Sequence, residues 1–305
     1  MKKHLFFFLF LSHFLSSFAQ QSEPQYLAPD RILVCDELKP FYHGVASGDP
    51  LADRVIIWTR VTPDRSVTGS ILVSWEMAAD TTFSQVLHAG TFVTDTTRDY
   101  TVKVDVTGLS ENTYYYYRFM ALGKSSMIGR TKTLPTSKID SLRFAVVSCA
   151  NFSMGYFHSY ERIAQRNDVD AIIHLGDYIY EYGDLPLVSD RIHDPSYEIL
   201  NLMDYRIRHS EYKLDAKLRY AHQQYPFICV WDDHEVANNA WKDGAENHTP
   251  GTEGNWADRK KDAIRAYMEW MPIRLPNPTD TTRIFRTFKY SDLAEFIMLD
   301  TRHHG

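Results

Sequence analysis

Gly176-Asp177-Tyr178-Ile179-Tyr180-Glu181 follows directly on the apolar run Ala171-Ile172-Ile173-His174-Leu175. A run of that length and character reads as a strand covered on both faces. Its C-terminal end empties into a glycine, which lets a backbone approach closely, and then into a carboxylate. Outward from this point the arrangement repeats. Residues 142–148 form an apolar run ending at Cys149, residues 227–231 end at Asp232-Asp233, and residues 295–299 end at Asp300. Helical patterns lie between them, the clearest over 256–271, stopped by Pro272. Strands alternating with helices predict an α/β layered domain, whose ligand site belongs at the C-terminal ends of its strands. One Asp at a strand end is ordinarily a cap or a turn former. Successive ends loaded with thiol or carboxylate point to cation binding, because packed carboxylates otherwise repel and protonate.

Upstream the grammar changes. Residues 54–59, 70–76 and 100–106 alternate apolar and polar side chains with a period of two, and Gly and Asp punctuate the turns. Short strands at this spacing predict a β-sandwich. The stretch Leu109-Ser-Glu-Asn-Thr113-Tyr114-Tyr115-Tyr116-Tyr117-Arg118 resembles the tyrosine-corner segment of fibronectin type III domains, with Leu109, Thr113 and Tyr115 at matching spacing. In that reading the tyrosine hydroxyl bonds to upstream backbone, and its neighbours pack in the core rather than presenting a sugar-binding face. Residues 133–141 are polar with one proline and read as a linker. The expected organisation is therefore β plus α/β: a fibronectin/Ig-like β-sandwich over 36–135, then an α/β metal-site domain over 140–305.

Several residues carry candidate chemistry. Asp177 is placed to bridge two cations, and Tyr180 follows one turn later, where a phenolate favours a hard ion such as ferric iron. Cys149 stands at a strand mouth, where a metal would convert thiol to thiolate; the competing role is a protease nucleophile, which needs a partner histidine. In Trp231-Asp232-Asp233-His234-Glu235-Val236-Ala237-Asn238-Asn239 an Asp N-cap and a first-turn Glu would account for some of the polar groups. The density of oxygen ligands also suits calcium, magnesium or manganese. Cys229, inside its apolar run, reads as a buried structural thiol.

These residues together resemble the PhoD-type alkaline phosphatases of the calcineurin-like metallophosphatase superfamily. The resemblance extends to Phe41-Tyr-His-Gly-Val-Ala-Ser-Gly-Asp-Pro50, Trp58-Thr59-Arg60 and Leu299-Asp300-Thr301-Arg302. It implies an exported phosphomonoesterase or phosphodiesterase using Fe3+ with Ca2+. Cys149, Asp177 and Tyr180 would correspond to the iron side; Asp177, Asn238 and Asp233 would correspond to the calcium side. Asp177, Asn238 and His234 are the expected catalytic residues, and the backbone from Asn151, opening a helix, would supply N–H donors to phosphate. Purple acid phosphatases share the Gly-Asp-x-x-Tyr pattern. They would carry Asp-x-Gly where this chain has Ser148-Cys149-Ala150, and Gly-Asn-His where it has Asp232-Asp233-His234.

Composition sets the boundaries of this reading. The chain has 305 residues, 33 basic and 39 acidic, for a formal charge of -6. No basic surplus points to nucleic acid or an anionic membrane, so bound cations would have to supply the charge that attracts a phosphate ester. Residues 1–19 combine a basic start, an apolar run and a small-residue exit, the pattern of a signal peptide. The run is shorter than the ~20 residues of a membrane span, which predicts secretion, or periplasmic or cell-surface placement. Three cysteines are an odd number for an exported chain, so at least one thiol is expected to be free, ligating or paired between chains. Family ligands on later strands would lie beyond Gly305, so the catalytic domain is expected to be its front part only. A catalytically silent homologue and a secreted binding protein are the alternatives that follow. His303 and His304 are expected to be solvated.

Overall fold

The structure, a computed structural model, describes residues 36–303 except 65, 66, 68, 185–190, 278, 281 and 282. The expected signal peptide, Cys35 and His304 lie outside the described residues. The first half contains β1 (Val45–Gly48), β2 (Arg54–Arg60), β3 (Ile71–Ala78), β4 (Val86–Thr94), β5 (Thr101–Thr107), β6 (Tyr114–Ala121), β7 (Lys124–Ser125) and β8 (Gly129–Lys132). The second half begins with β9 (Phe144–Val147), α1 (His158–Ala164), β10 (Ala171–His174), α2 (Leu202–Leu214) and α3 (Ala216–Gln224). It continues with β11 (Pro226–Cys229), α4 (Trp256–Trp270), β12 (Arg286–Tyr290) and β13 (Ala294–Met298).

Alternation in the first half does what its period dictates. One face of β1, β2 and β5 and one face of β3 and β6 enclose a single core that includes Val55, Ile57, Val73, Val102, Tyr117 and Phe119. Tyr115 is buried, and its hydroxyl accepts the Ser110 N–H at 2.8 Å, tying the strand start to upstream backbone. The sheets do not stay within the half, however. A six-stranded sheet runs in the order β5-β2-β1-β11-β10-β9, joined where β1 pairs in parallel with β11 through Ser47 and Gly48. The two halves of different composition therefore share one sheet. Buried Asp49, just past β1, locks the join: it receives Arg286 from β12 at 2.6 and 2.7 Å and the Arg274 N–H at 2.6 Å.

Parallel strands β10 and β11 are buried along their whole length, as continuous apolar runs require. Two other expected strands differ. Among the described residues, strand β9 forms the sheet edge with Val146 exposed, and β13 pairs only with β12, in an antiparallel hairpin that alternates, with Ile297 exposed. Helix α4 begins where Asn255 caps the Ala257 and Asp258 N–H groups and stops before Pro272. Helix α2 is unusual: Arg208, His209, Glu211 and Lys213 are all buried. Their polar groups are met internally where partners exist. Arg208 serves the carbonyls of Tyr180, Tyr182 and Pro195, and the Lys213 ammonium lies 2.8 Å from His222 Nε2.

Such a core should be sensitive to acid. Burial holds His174 and His209 down to about 3, and it holds His43 and His222 well below their usual 6.5. Below pH 6.5 the unfolded chain binds protons that these folded histidines refuse, so their contribution is complete above that value and lost toward 3. Glu211 and Glu235, pushed up by burial to about 8, act in the opposite direction between pH 8 and 4.5. The histidines are the more numerous. Stability, read as the urea midpoint, should therefore fall as pH drops from 6.5 to 5, with a slope that steepens toward about 1.4 kcal/mol per pH unit for each net proton. An unchanged midpoint across that range would contradict this account.

Candidate metal centre

Three strand ends converge. Strand β9 delivers Cys149, β10 delivers Asp177, and β11 delivers Asp232 and Asp233. Cys149 and Asp177 both sit in left-handed backbone, at φ 56° and 54°, a region that few non-glycine residues occupy without being held there. The Cys149 N–H bonds to Gly176 O and the Ala150 N–H to Asp177 O, at 3.2 and 2.9 Å, lacing the first two ends together. Gly176, at φ 107°, has no room for a side chain: an added Cβ would lie 2.4 Å from Asp232 N.

The centre of the arrangement is Asp177, Asp233 and His234, whose ligand atoms lie within 4.8 Å of one another. Asp177 Oδ2 accepts from the Tyr180 hydroxyl at 3.1 Å and from the Cys149 thiol at 3.4 Å. Its Oδ1 is buried with no partner among the described residues, an orphaned acceptor of the kind a cation satisfies. Burial raises the Asp177 pKa, with Asp233 and Asp232 adding repulsion while His234 opposes the shift. Burial and the Asp177 charge also push the Tyr180 phenol upward, so it donates to the carboxylate in this state. The donor set, two carboxylates, an imidazole, a phenol and a thiol, fits metal ions, with the hard oxygen ligands predominating.

Two buried glutamates, Glu181 and Glu235, brace this cluster, although neither is among the residues expected to hold metal or substrate. Glu181 accepts from His234 Nδ1 at 2.7 Å, the Asn238 N–H at 2.7 Å and Asn247 Nδ2 at 2.8 Å. With a carboxylate on Nδ1, the Nε2 of His234 is reserved for a cation or a substrate proton. Burial alone would lower the His234 pKa, but the Glu181 hydrogen bond and the surrounding carboxylates outweigh it and raise the value. Glu235 accepts the Asp177, Tyr178 and Asp232 N–H groups at 3.0, 2.7 and 2.8 Å, clamping the β10 and β11 exits to each other. Residues 232–239 form turns rather than a helix, although Glu235 keeps the local capping-type bond to the Asp232 N–H.

The remaining expectations divide. Asn238 is carried in the adjoining turn, its N–H on Glu181. Asn151 precedes a single 3-10 turn (Phe152–Met154), and the N–H groups that would have opened toward an anion are engaged: Ser153 N–H bonds to Asn151 Oδ1 and Phe152 N–H to Tyr212 Oη. Asp300 does not join the cluster; its Oδ1 caps the Arg302 and His303 N–H groups. His303 is buried against Trp231, ring centroids 5.5 Å apart, contrary to the solvated placement expected for it. Cys229 is fully buried, as expected of a structural thiol. A groove of about 990 Å³ lies elsewhere, between α4 and the outer face of β2 and β5. It contains no member of the cluster.

Comparison with known proteins shows the family. The family described as PhoD-like phosphatase matches residues 144–305, and the PhoD-like phosphatase N-terminal domain matches residues 35–135. The chain belongs to the PhoD-like phosphatase family. It is 40% identical over 279 residues to alkaline phosphatase D of Bacillus subtilis (strain 168), covering 87% of this chain and 47% of that protein. A solved structure titled "Structure of PhoD" superposes with a TM-score of 0.80 at 40% identity, covering 86% of this chain and 52% of that one. The chain thus spans about half the length of the relatives it matches. No helix among the described residues is long and apolar enough to cross a membrane.

Proposed function

We propose that this protein is a secreted, metal-dependent phosphoric ester hydrolase acting on phosphate mono- or diesters. The observation that carries the reading is the buried Asp177–Asp233–His234 cluster with its orphaned Asp177 oxygen, in a member of a phosphatase family. In this reading residues 36–135 form the N-terminal β-domain and residues 140–305 the front part of the catalytic domain. Cys149, Asp177 and Tyr180 would hold Fe3+, and Asp177, Asp233 and Asn238 would hold Ca2+. When bound, these ions supply positive charge to the phosphoryl oxygens and acidify water.

The chain's own groups supply the rest. His234, held at Nδ1 by the Glu181 carboxylate, is oriented to hold a proton at Nε2 and deliver it to the leaving oxygen. Asn151 lies just beyond Cys149 with its amide oriented by Ser153, so it can present its NH2 toward the mouth. No nucleophilic side chain is required.

The test is hydrolysis of p-nitrophenyl phosphate and bis-p-nitrophenyl phosphate by chelator-treated protein, before and after addition of iron and calcium. Turnover restored by both ions together supports the proposal. Stoichiometric metal uptake without turnover favours a silent homologue instead.

A further inference from the structure

Arg302 brings a cation of the chain itself into direct contact with the cluster. Its Nε donates to Asp232, and its Nη2 donates to Asp233 Oδ1 at 3.0 Å. The side chain is 30% exposed, whereas that of Asp233 is 7% exposed, so the guanidinium covers the open side of a buried ligand. The turn that presents it is built, not incidental. Asp300 caps the Arg302 and His303 N–H groups at 3.0 and 2.9 Å, and His303 anchors the segment against Trp231.

Two consequences follow from the chemistry of the pair. A carboxylate oxygen engaged by a metal ion has less charge to offer a guanidinium, so cation binding at Asp233 and the Arg302 ion pair compete. An arginine so released keeps a planar fork of N–H donors that matches a phosphate. Its Nη1 donors have no protein partner among the described residues. From this juxtaposition we infer that Arg302 binds the substrate's phosphoryl group, and that in the metal-free protein it stands in as counter-ion for Asp232 and Asp233.

The assignment rests on the hydrolase reading, and its test separates the two. Calcium and then inorganic phosphate are titrated calorimetrically into full-length wild-type, Arg302→Ala and Arg302→Lys proteins, each with iron present. Arg302→Ala should weaken phosphate binding roughly tenfold or more, the scale of a lost charge-assisted fork. Its calcium affinity in the absence of phosphate should be unchanged or higher, because a competing cation has gone. Arg302→Lys should fall between the two, keeping the charge without the fork. Equal phosphate affinity in all three proteins, or calcium affinity falling in parallel with phosphate affinity, overturns the assignment. Loaded wild-type protein that binds no phosphate overturns the hydrolase reading itself.

Discussion

Asp177→Asn should cut hydrolysis by roughly a hundred- to a thousandfold, on the scale of removing one group that stabilises charge in the transition state. The same substitution should leave the metal-free protein as stable as before, or more so. Both expectations come from one environment. The Asp177 carboxylate is buried, repelled by Asp232 and Asp233, and leaves Oδ1 without a partner. Without a cation it is a liability that an uncharged amide relieves. It also contacts both Tyr180 and Cys149 and is grouped with Asp233 and His234, which places it to hold a cation. Thermal unfolding with and without calcium and iron separates these effects. Wild-type protein at one hundred times the dissociation constant gains about 2.7 kcal/mol from the ligand, and Asp177→Asn should gain almost none. If the variant takes up metal with wild-type affinity, Asp177 is not the centre of the site.

How far such a site can be read from sequence depends on what holds each part. Strands β10 and β11 were legible because both faces are covered, which leaves an unbroken apolar run. The same runs overstate β9 and β13: Val146 and Ile297 are apolar yet exposed, and apolarity alone does not report a sheet edge or an isolated hairpin. Helix α2 carries almost no signal because its buried side chains are Arg208, His209, Glu211 and Lys213, and pattern reading expects charge to face water. The pairing of Ser47 with Pro226 spans most of the chain and leaves no local trace. At the site, Cys149, Asp177, Tyr180 and the 232–239 run were visible because strand ends concentrate ligands. The bracing role of Glu181 and Glu235 was hidden because it is exercised on N–H groups of distant turns. Arg302 was hidden because its contacts, with Asp232 and Asp233, lie some seventy residues away in sequence, and Asp300 only caps the turn that presents it.

Gly176→Ala should damage stability and metal binding together, which distinguishes it from substitutions at the ligands. The native φ of 107° already disfavours any side chain, at a cost of about 1–3 kcal/mol. The new Cβ would also meet Asp232 N at 2.4 Å and Asp232 Cβ at 2.5 Å. Neither atom is the flexible end of a side chain, so relief requires the β11 exit to move away from the β10 exit, adding about 1–3 kcal/mol of overpacking. That movement pulls on the Glu235 bonds to Asp177, Tyr178 and Asp232, which fix the spacing of Asp177 from Asp233. Gly123→Ala makes the comparison clean. Gly123 also has positive φ, 73°, but nothing lies within 4 Å of its added Cβ. It should lose only the conformational part and leave metal affinity untouched. Urea titrations of both variants, paired with calcium binding, read the difference. Equal losses at the two glycines would mean that the contact with Asp232 yields without disturbing the carboxylates. The close approach of the two strand ends would then not be what sets the geometry of the cluster.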